Sequence, residues 1–282
     1  MGLIQLECLC RHIYRGPMNN HNNTNKPTRR HTTSPRQGTR RKTRSDEVFL
    51  FGLHSVRSAI ENPDRVIKRL YVSEKGLERL ALSESQLKGI AIRTKEPREL
   101  DQFVGRDSVH QGVVLEVSPL AAKDLGDLKE CNLILLLDQI TDPHNVGAIL
   151  RSAVAMGAGA VISTHRHSAK ESGVLAKSAS GALDMIDMIE VKNLAHAIDE
   201  LHFQDFQTIG LDSEGPDVLE KTMSAKKIAL VMGAEGKGLR QKTREACQNL
   251  ARIDMPGKIK SLNVSNATAL SLYIAQSHIQ NS

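Results

Sequence analysis

Apolar residues along the 282-residue chain follow two rhythms. Between Val48 and Pro119 short amphipathic stretches alternate. GLHSVRSAIEN (52–62) has helical spacing, RLYVS (69–73) reads as a strand, and SESQLKG (83–89) ends a helical stretch at Gly89. IAIRT (90–94) is a second strand, EPRELDQFV (96–104) a short helix with Pro97 near its start, and QGVVLEVSP (111–119) a third strand. Together they predict a small α/β unit.

From Asn132 onward the rhythm changes to unbroken apolar runs, each followed by a helical pattern. LILLLDQI (133–140), AVIST (160–164), QTIGLD (207–212) and KIALVMG (227–233) predict strands buried on both faces. Such strands belong to a parallel sheet covered by helices. MIDMIEV (185–191) and ARIDMP (251–256) predict shorter members, with helices over 145–156, 193–202, 238–248 and 264–278. The organisation expected is an arm (1–45), a small domain (46–119), a polar connector (120–131) and a larger α/β domain (132–282).

Charge adds the arm to this picture. Residues 1–45 hold ten Arg or Lys and one acid, Glu7, a charge of +9, whereas 46–282 sum to −3. From Asn19 to Ser45 there is almost no apolar residue to offset the entropy of ordering, which predicts disorder. A basic arm of this kind suits contact with a polyanion. Its Arg- and Ser/Thr-rich composition also resembles an organelle transit peptide. Apolar runs such as Leu133 to Leu137 fall far short of the roughly 18 to 20 residues that span a bilayer, so no membrane role is expected. The four cysteines make no disulfide framework: Cys131 and Cys247 read as small core fillers, and Cys8 and Cys10 near His12 lack the further ligands of a tetrahedral metal site. The expectation is a soluble cytoplasmic protein without a metal.

In an open parallel sheet, ligands bind beyond the C-terminal ends of strands. Three turns there are unusual. DQITDPHNVGAILRSA (138–153) puts Asn145 where a helix cap is expected and Arg151 further along the same helix. GAEGKGL (233–239) has three glycines in six residues, which implies close backbone approach, yet it matches neither a dinucleotide fingerprint nor a P-loop. Glu235 in it suits a base, a substrate orienter or an N-cap. PGKIKSLNVSNATAL (256–270) gathers Ser261, Asn263, Ser265, Asn266 and Thr268 at the start of an apolar helix, more polar groups than capping requires.

Taken together, NVGAILRSA (145–153), VMGAEGKGL (231–239) and PGKIKSLNVSNA (256–267) resemble the three ordered motifs of the SpoU/TrmH class of SPOUT RNA ribose methyltransferases. The resemblance runs over roughly 48–282. The smaller domain is similar to the substrate-binding domain of those enzymes, a ribosomal-protein-like α/β fold. The subgroup most resembled methylates a guanosine 2′-hydroxyl in 23S rRNA. One departure is Asn266, where many relatives carry an apolar residue.

The resemblance implies a deep trefoil knot at the C-terminal end of a mostly parallel sheet, which no periodicity argument predicts because knots are nearly absent from proteins. It implies S-adenosylmethionine as cofactor and a homodimer with active sites at its interface. It assigns Asn145, Arg151, Glu235, Ser261 and Asn263 to the catalytic pocket, and Gly233, Ile253 and Leu262 to the loops enclosing the cofactor. An arginine with a pKa above roughly 12 is a poor base at neutral pH, so Arg151 is expected to hold the RNA phosphate and stabilise charge. The rival readings are a tRNA guanosine methyltransferase and a non-catalytic RNA-binding or ribosome-assembly protein. The trio of Asn145, Arg151 and Glu235 argues against the latter.

Overall fold

The computed structural model describes residues 47–282, so the basic arm expected over 1–45 lies outside the described residues. The small unit comprises β1 (Val48–Phe51), α1 (Leu53–Glu61), β2 (Ile67–Val72), α2 (Glu74–Leu80), α3 (Glu84–Leu87), β3 (Ile92–Thr94), α4 (Pro97–Val104) and β4 (Val113–Val117). Its sheet has the order β1-β4-β2-β3, with β4 antiparallel to both neighbours and β3 parallel to β2. Two short elements escape a reading by periodicity. The four apolar residues of β1 show no alternation, and α2 is fixed by the Ser73 side chain accepting from the Gly76 N–H. One face of the sheet carries the chain's main aromatic cluster, with Phe103 stacked on Tyr71 at 4.2 Å and close to Phe49.

The larger unit runs β5 (Leu133–Asp138), α5 (Pro143–Ala155), β6 (Ala160–Thr164), α6 (Gly173–Ala179), β7 (Asp187–Val191), α7 (Leu194–His202), β8 (Gln207–Leu211), β9 (Asp217–Val218), α8 (Leu219–Thr222), β10 (Ile228–Gly233), α9 (Gln241–Ala246), β11 (Asn249–Arg252) and α10 (Val264–Asn281). The sheet order is β7-β6-β5-β10-β8-β11-β9, and every pair is parallel. Successive β5 side chains point to opposite faces. Leu133, Leu135 and Leu137 join the core under α5, α6 and α10, while Ile134 and Leu136 pack with Leu194, Ala197, Ile198 and Leu201 of α7. Burying each of these leucines contributes about 1.5–3 kcal/mol.

Differences from the periodicity reading have local causes. The strand expected over 251–256 is β11 at 249–252, because the segment from Ile253 turns away from the sheet. The helix expected over 238–248 is confined to 241–246 by Gly238, whose φ of 65° takes the chain through a left-handed turn. The helix α6, GVLAKSA, carries too few large apolar residues to announce itself. It lies so close to α5 that a Cβ on Gly147 would come within 2.6 Å of the Leu175 carbonyl oxygen.

The connector does not hang free. The Glu190 N–H donates to the Lys123 carbonyl at 2.9 Å, tying 120–131 to the edge of the parallel sheet. The two units share one apolar core. Between them lies the Arg65 side chain, fully buried, donating to Asp184 Oδ1 at 2.8 Å, to Glu171 and to the Ser118 carbonyl. A buried guanidinium needs such partners because an uncompensated charge there is strongly destabilising. The small unit is therefore docked by specific polar contacts as well as by apolar packing.

Candidate active site

Beyond the C-terminal ends of β5, β6 and β10 two clefts meet. The first, about 430 Å³, lies between the loop after β10 and the segment leading into α10. Gly233, Glu235, Ile253, Ser261 and Leu262 all line it. The loop is held by its own chain. The Ala234 carbonyl accepts from the Gly238 N–H at 2.8 Å, and Gly236 and Gly238 adopt φ of 76° and 65°, a region that favours glycine. Gly233 is required for a different reason: a Cβ there would lie 2.2 Å from the Gly238 carbonyl carbon. The close backbone approach expected of this loop is therefore, at Gly233, an approach to the loop's own chain, while Gly233 still lines the cleft.

Asp138, ending β5, locks the loop from below. Its carboxylate is fully buried and accepts from the Arg240 backbone N–H at 3.0 Å and from Arg240 Nε at 2.6 Å. Burial, with the Asp138 charge adding, pushes the neighbouring Cys247 thiol up to about 12, which keeps it protonated and inert. On the opposite wall Lys260 Nζ donates to the Met255 carbonyl at 2.7 Å, and Arg252 donates to the carbonyls of Gly215 and Pro216. The cleft combines apolar side chains with polar backbone and with charged groups of both signs, Asp212 and Glu235 against Arg252 and Lys260, a lining suited to a ligand with both apolar and charged parts.

The second cleft, about 530 Å³, shares Ala234, Glu235 and Val264 with the first and adds Gln139, Asn145 and His167. The expectation that Asn145 caps its helix is corrected. Asp142 is the N-cap, accepting from the His144 N–H at 3.0 Å, and Asn145 lies within the first turn. Its Oδ1 accepts from Asn263 Nδ2 at 3.1 Å. Asn263 does cap α10, accepting from the Ser265 N–H at 2.8 Å, so one side chain both starts that helix and ties it to α5. Glu235 caps no helix, because α9 begins at Gln241. Of the other polar residues gathered here, Ser265 bonds Asn263, Thr268 bonds the Val264 carbonyl and Asn266 is exposed on α10; Ser261 lines the first cleft, and Asn263, which lines neither, is joined to the second through Asn145.

Arg151 is the residue that the structure does not bring together with the rest. Six positions along a helix set it about 120° round the axis from Asn145. It is exposed and lines neither cleft. It belongs instead to a stripe on α5 (His144, Ala148, Arg151, Ala155) beside a matching stripe on α10 (Asn266, Leu270, Tyr273, Ser277), the two meeting where Ala155 and Tyr273 line one shallow groove. Leu270 is 45% and Tyr273 64% exposed. The reading from sequence missed Asp138, Arg240, Gln139 and His167. An acid closing an all-apolar strand was a usable signal for Asp138; nothing local marked the others.

Residues 132–273 match the model described as the SpoU rRNA Methylase family, and residues 49–122 match the model for RNA 2′-O ribose methyltransferase substrate binding. The chain belongs to the SpoU rRNA methylase family. Among its relatives, the 23S rRNA (guanosine-2′-O-)-methyltransferase RlmB of Pseudomonas putida is 36% identical over 236 residues, covering 80% of this chain and 94% of that protein. The protein of the same name from Xylella fastidiosa is 38% identical over 237 residues, covering 80% and 95%. In fold, this SpoU family member is similar to the methyltransferase AviRb from Streptomyces viridochromogenes, solved with the cofactor AdoMet, with a TM-score of 0.69 at 24% identity over 83% of this chain and 91% of that one. An AdoMet-bound rRNA methyltransferase from Sinorhizobium meliloti gives a TM-score of 0.68 over 83% and 88%, also at 24% identity. The mostly parallel α/β architecture is the SPOUT fold of this family.

Proposed function

We propose that this chain transfers a methyl group from S-adenosylmethionine to the ribose 2′-hydroxyl of a guanosine in 23S rRNA. The observation that carries this reading is the shared wall of the two clefts, where Glu235 faces both. When bound, S-adenosylmethionine supplies an already activated methyl group, so the protein's task is to align the ribose oxygen with it and to help its proton leave. Gly233, Ile253 and Leu262 would enclose the cofactor in the first cleft. Asn145 and Glu235 would orient the ribose in the second, with Ser261 reaching it from the first and Asn263 acting through Asn145, the hydrogen bond between them keeping both amides in fixed directions.

Arg151 joins this group across a homodimer. The paired stripes on α5 and α10, with Leu270 and Tyr273 open to solvent, suit a second copy of the chain as their cover, and the partner's clefts would then receive the arginine's planar fork for an RNA phosphate. A trefoil knot belongs to the same reading, in which the chain between β11 and α10 lies against the loop after β10. The substrate-binding match over 49–122 favours rRNA over tRNA, and work on ribosomal RNA fits the cell interior.

Ribose-methylation mapping of total RNA from cells with and without the gene tests the proposal: one 2′-O-methylguanosine of 23S rRNA should disappear. An unchanged map would overturn it. The ten cations of residues 1–45 would add a sequence-independent tether. Deleting them should weaken RNA affinity and flatten its salt dependence while the methylated nucleotide stays the same, and equal affinity with equal salt slope would remove the tether.

A further inference from the structure

We infer that His167 is the platform on which the base of the target nucleotide stacks; this rests on the methyl-transfer reading above. A ribose cannot be aligned for transfer unless its base is also held, and single-stranded RNA bases are held by stacking on aromatic planes. This chain has little to offer there, with no Trp, three Tyr and five Phe. In the small unit Tyr71 is stacked on Phe103, against which Phe49 is tilted. His167 carries the only aromatic ring among the described residues that line the cleft of Asn145 and Glu235.

Its backbone supports a dedicated role. His167 has φ of 63° and Gln139 φ of 61°, left-handed conformations rare outside glycine, and both residues line this one cleft from the C-terminal ends of adjacent strands. Such conformations persist only where surrounding contacts impose them. Here the loop after β6 is pinned on each side of His167. Ser168 Oγ donates to the Thr164 carbonyl at 2.7 Å, the Thr164 hydroxyl bonds the Arg166 carbonyl, and His165 Nδ1 lies 2.6 Å from Glu190 Oε2. Further on, Glu171 accepts from the Leu120 N–H at 2.9 Å and pairs with the buried Arg65 of the small unit. The backbone that carries the imidazole is thus held in place and tied to the docked small unit, while the ring itself is exposed to the cleft. The Gln139 carboxamide, one donor and one acceptor group, belongs to a residue lining the same cleft and would serve the edge of the base.

The test is a double-mutant cycle between protein and RNA. His167→Gly and His167→Asn both suit the left-handed backbone and both lack a ring. Single-turnover methylation is measured on a 23S transcript fragment carrying either guanosine or an abasic ribose at the mapped position, with S-adenosylmethionine affinity followed by calorimetry. Both variants should bind the cofactor normally and methylate the guanosine fragment about tenfold more slowly, the scale of one lost stacking contact. On the abasic fragment wild type and variants should react at the same reduced rate. Equal fold-losses on the two fragments, or less than twofold loss on the guanosine fragment, would overturn the stacking role while leaving the methyltransferase reading intact. A wild-type protein that methylates neither fragment would overturn both.

Discussion

The two sides of the site are finished to different degrees. On the loop side, the glycine turn after β10 bonds itself, Asp138 locks it through Arg240, and Arg252 and Lys260 tether the opposite wall. On the helix side, α5 and α10 are tied by Asn145 and Asn263 but leave Arg151, Leu270 and Tyr273 in solvent. The cleft proposed for the cofactor is lined within one chain, whereas the arginine proposed to hold the RNA phosphate lies on an exposed helix surface. Cofactor binding and methyl transfer should therefore separate under mutation.

The largest separation is expected at Arg151. Arg151→Ala should slow methyl transfer by about a thousandfold, in line with the loss of a group acting on transition-state charge, while calorimetry finds cofactor affinity unchanged. Lysine should not restore the rate, because a point charge does not reproduce a planar fork. A variant retaining more than about a tenth of wild-type turnover would break the contrast. Next comes the doubled substitution Leu270→Asp with Tyr273→Asp. Sedimentation should report a dimer becoming a monomer, with turnover falling about a hundredfold if a positioned group is lost; a monomer that still turns over normally would show Arg151 acting within its own chain.

The loop side should respond through stability. Arg240→Ala leaves the buried Asp138 carboxylate without its charged partner, and denaturant titration should show a loss of about 2–4 kcal/mol, below the extreme for buried pairs because Arg240 itself is partly exposed. The smallest effect concerns Cys247. Its thiol, raised in the folded state from an ordinary 9.0 to about 12, stabilises the fold fully below pH 9 and loses that contribution as pH rises towards 12. Below pH 9 it should resist alkylation until the protein unfolds, and rapid labelling of the native protein would show the loop to be looser than its hydrogen bonds imply.

Much of this was legible in the residues themselves. Long apolar runs such as Leu133–Leu137 revealed the parallel sheet because strands buried on both faces have no other composition open to them. The order of the three motif turns located the clefts. Helix α6 and strand β1 stayed hidden because small residues and four-residue runs carry no period. Asn145 looked like a cap because Asn and Asp are both good caps, and only the structure shows Asp142 taking that place three residues earlier. Gln139 and His167 were invisible for a different reason: a left-handed φ on a non-glycine residue is imposed by contacts distant in sequence.

The strand order also governs when the protein can be assembled. β10 lies between β5 and β8, yet it is made after both. Until residue 228 has left the ribosome, β5, with five apolar residues before Asp138, has no neighbour on that side, and the strands available to pair with it are β6 and, beyond it, β7. Parallel pairings between distant segments form slowly, and unpaired apolar edges recruit other chains. Synthesis that stalls in the stretch between β8 and β10 therefore yields the most aggregation-prone form of this protein, and the same insertion that brings Asp138 beside Gly233 makes the site among the last parts of the molecule to exist.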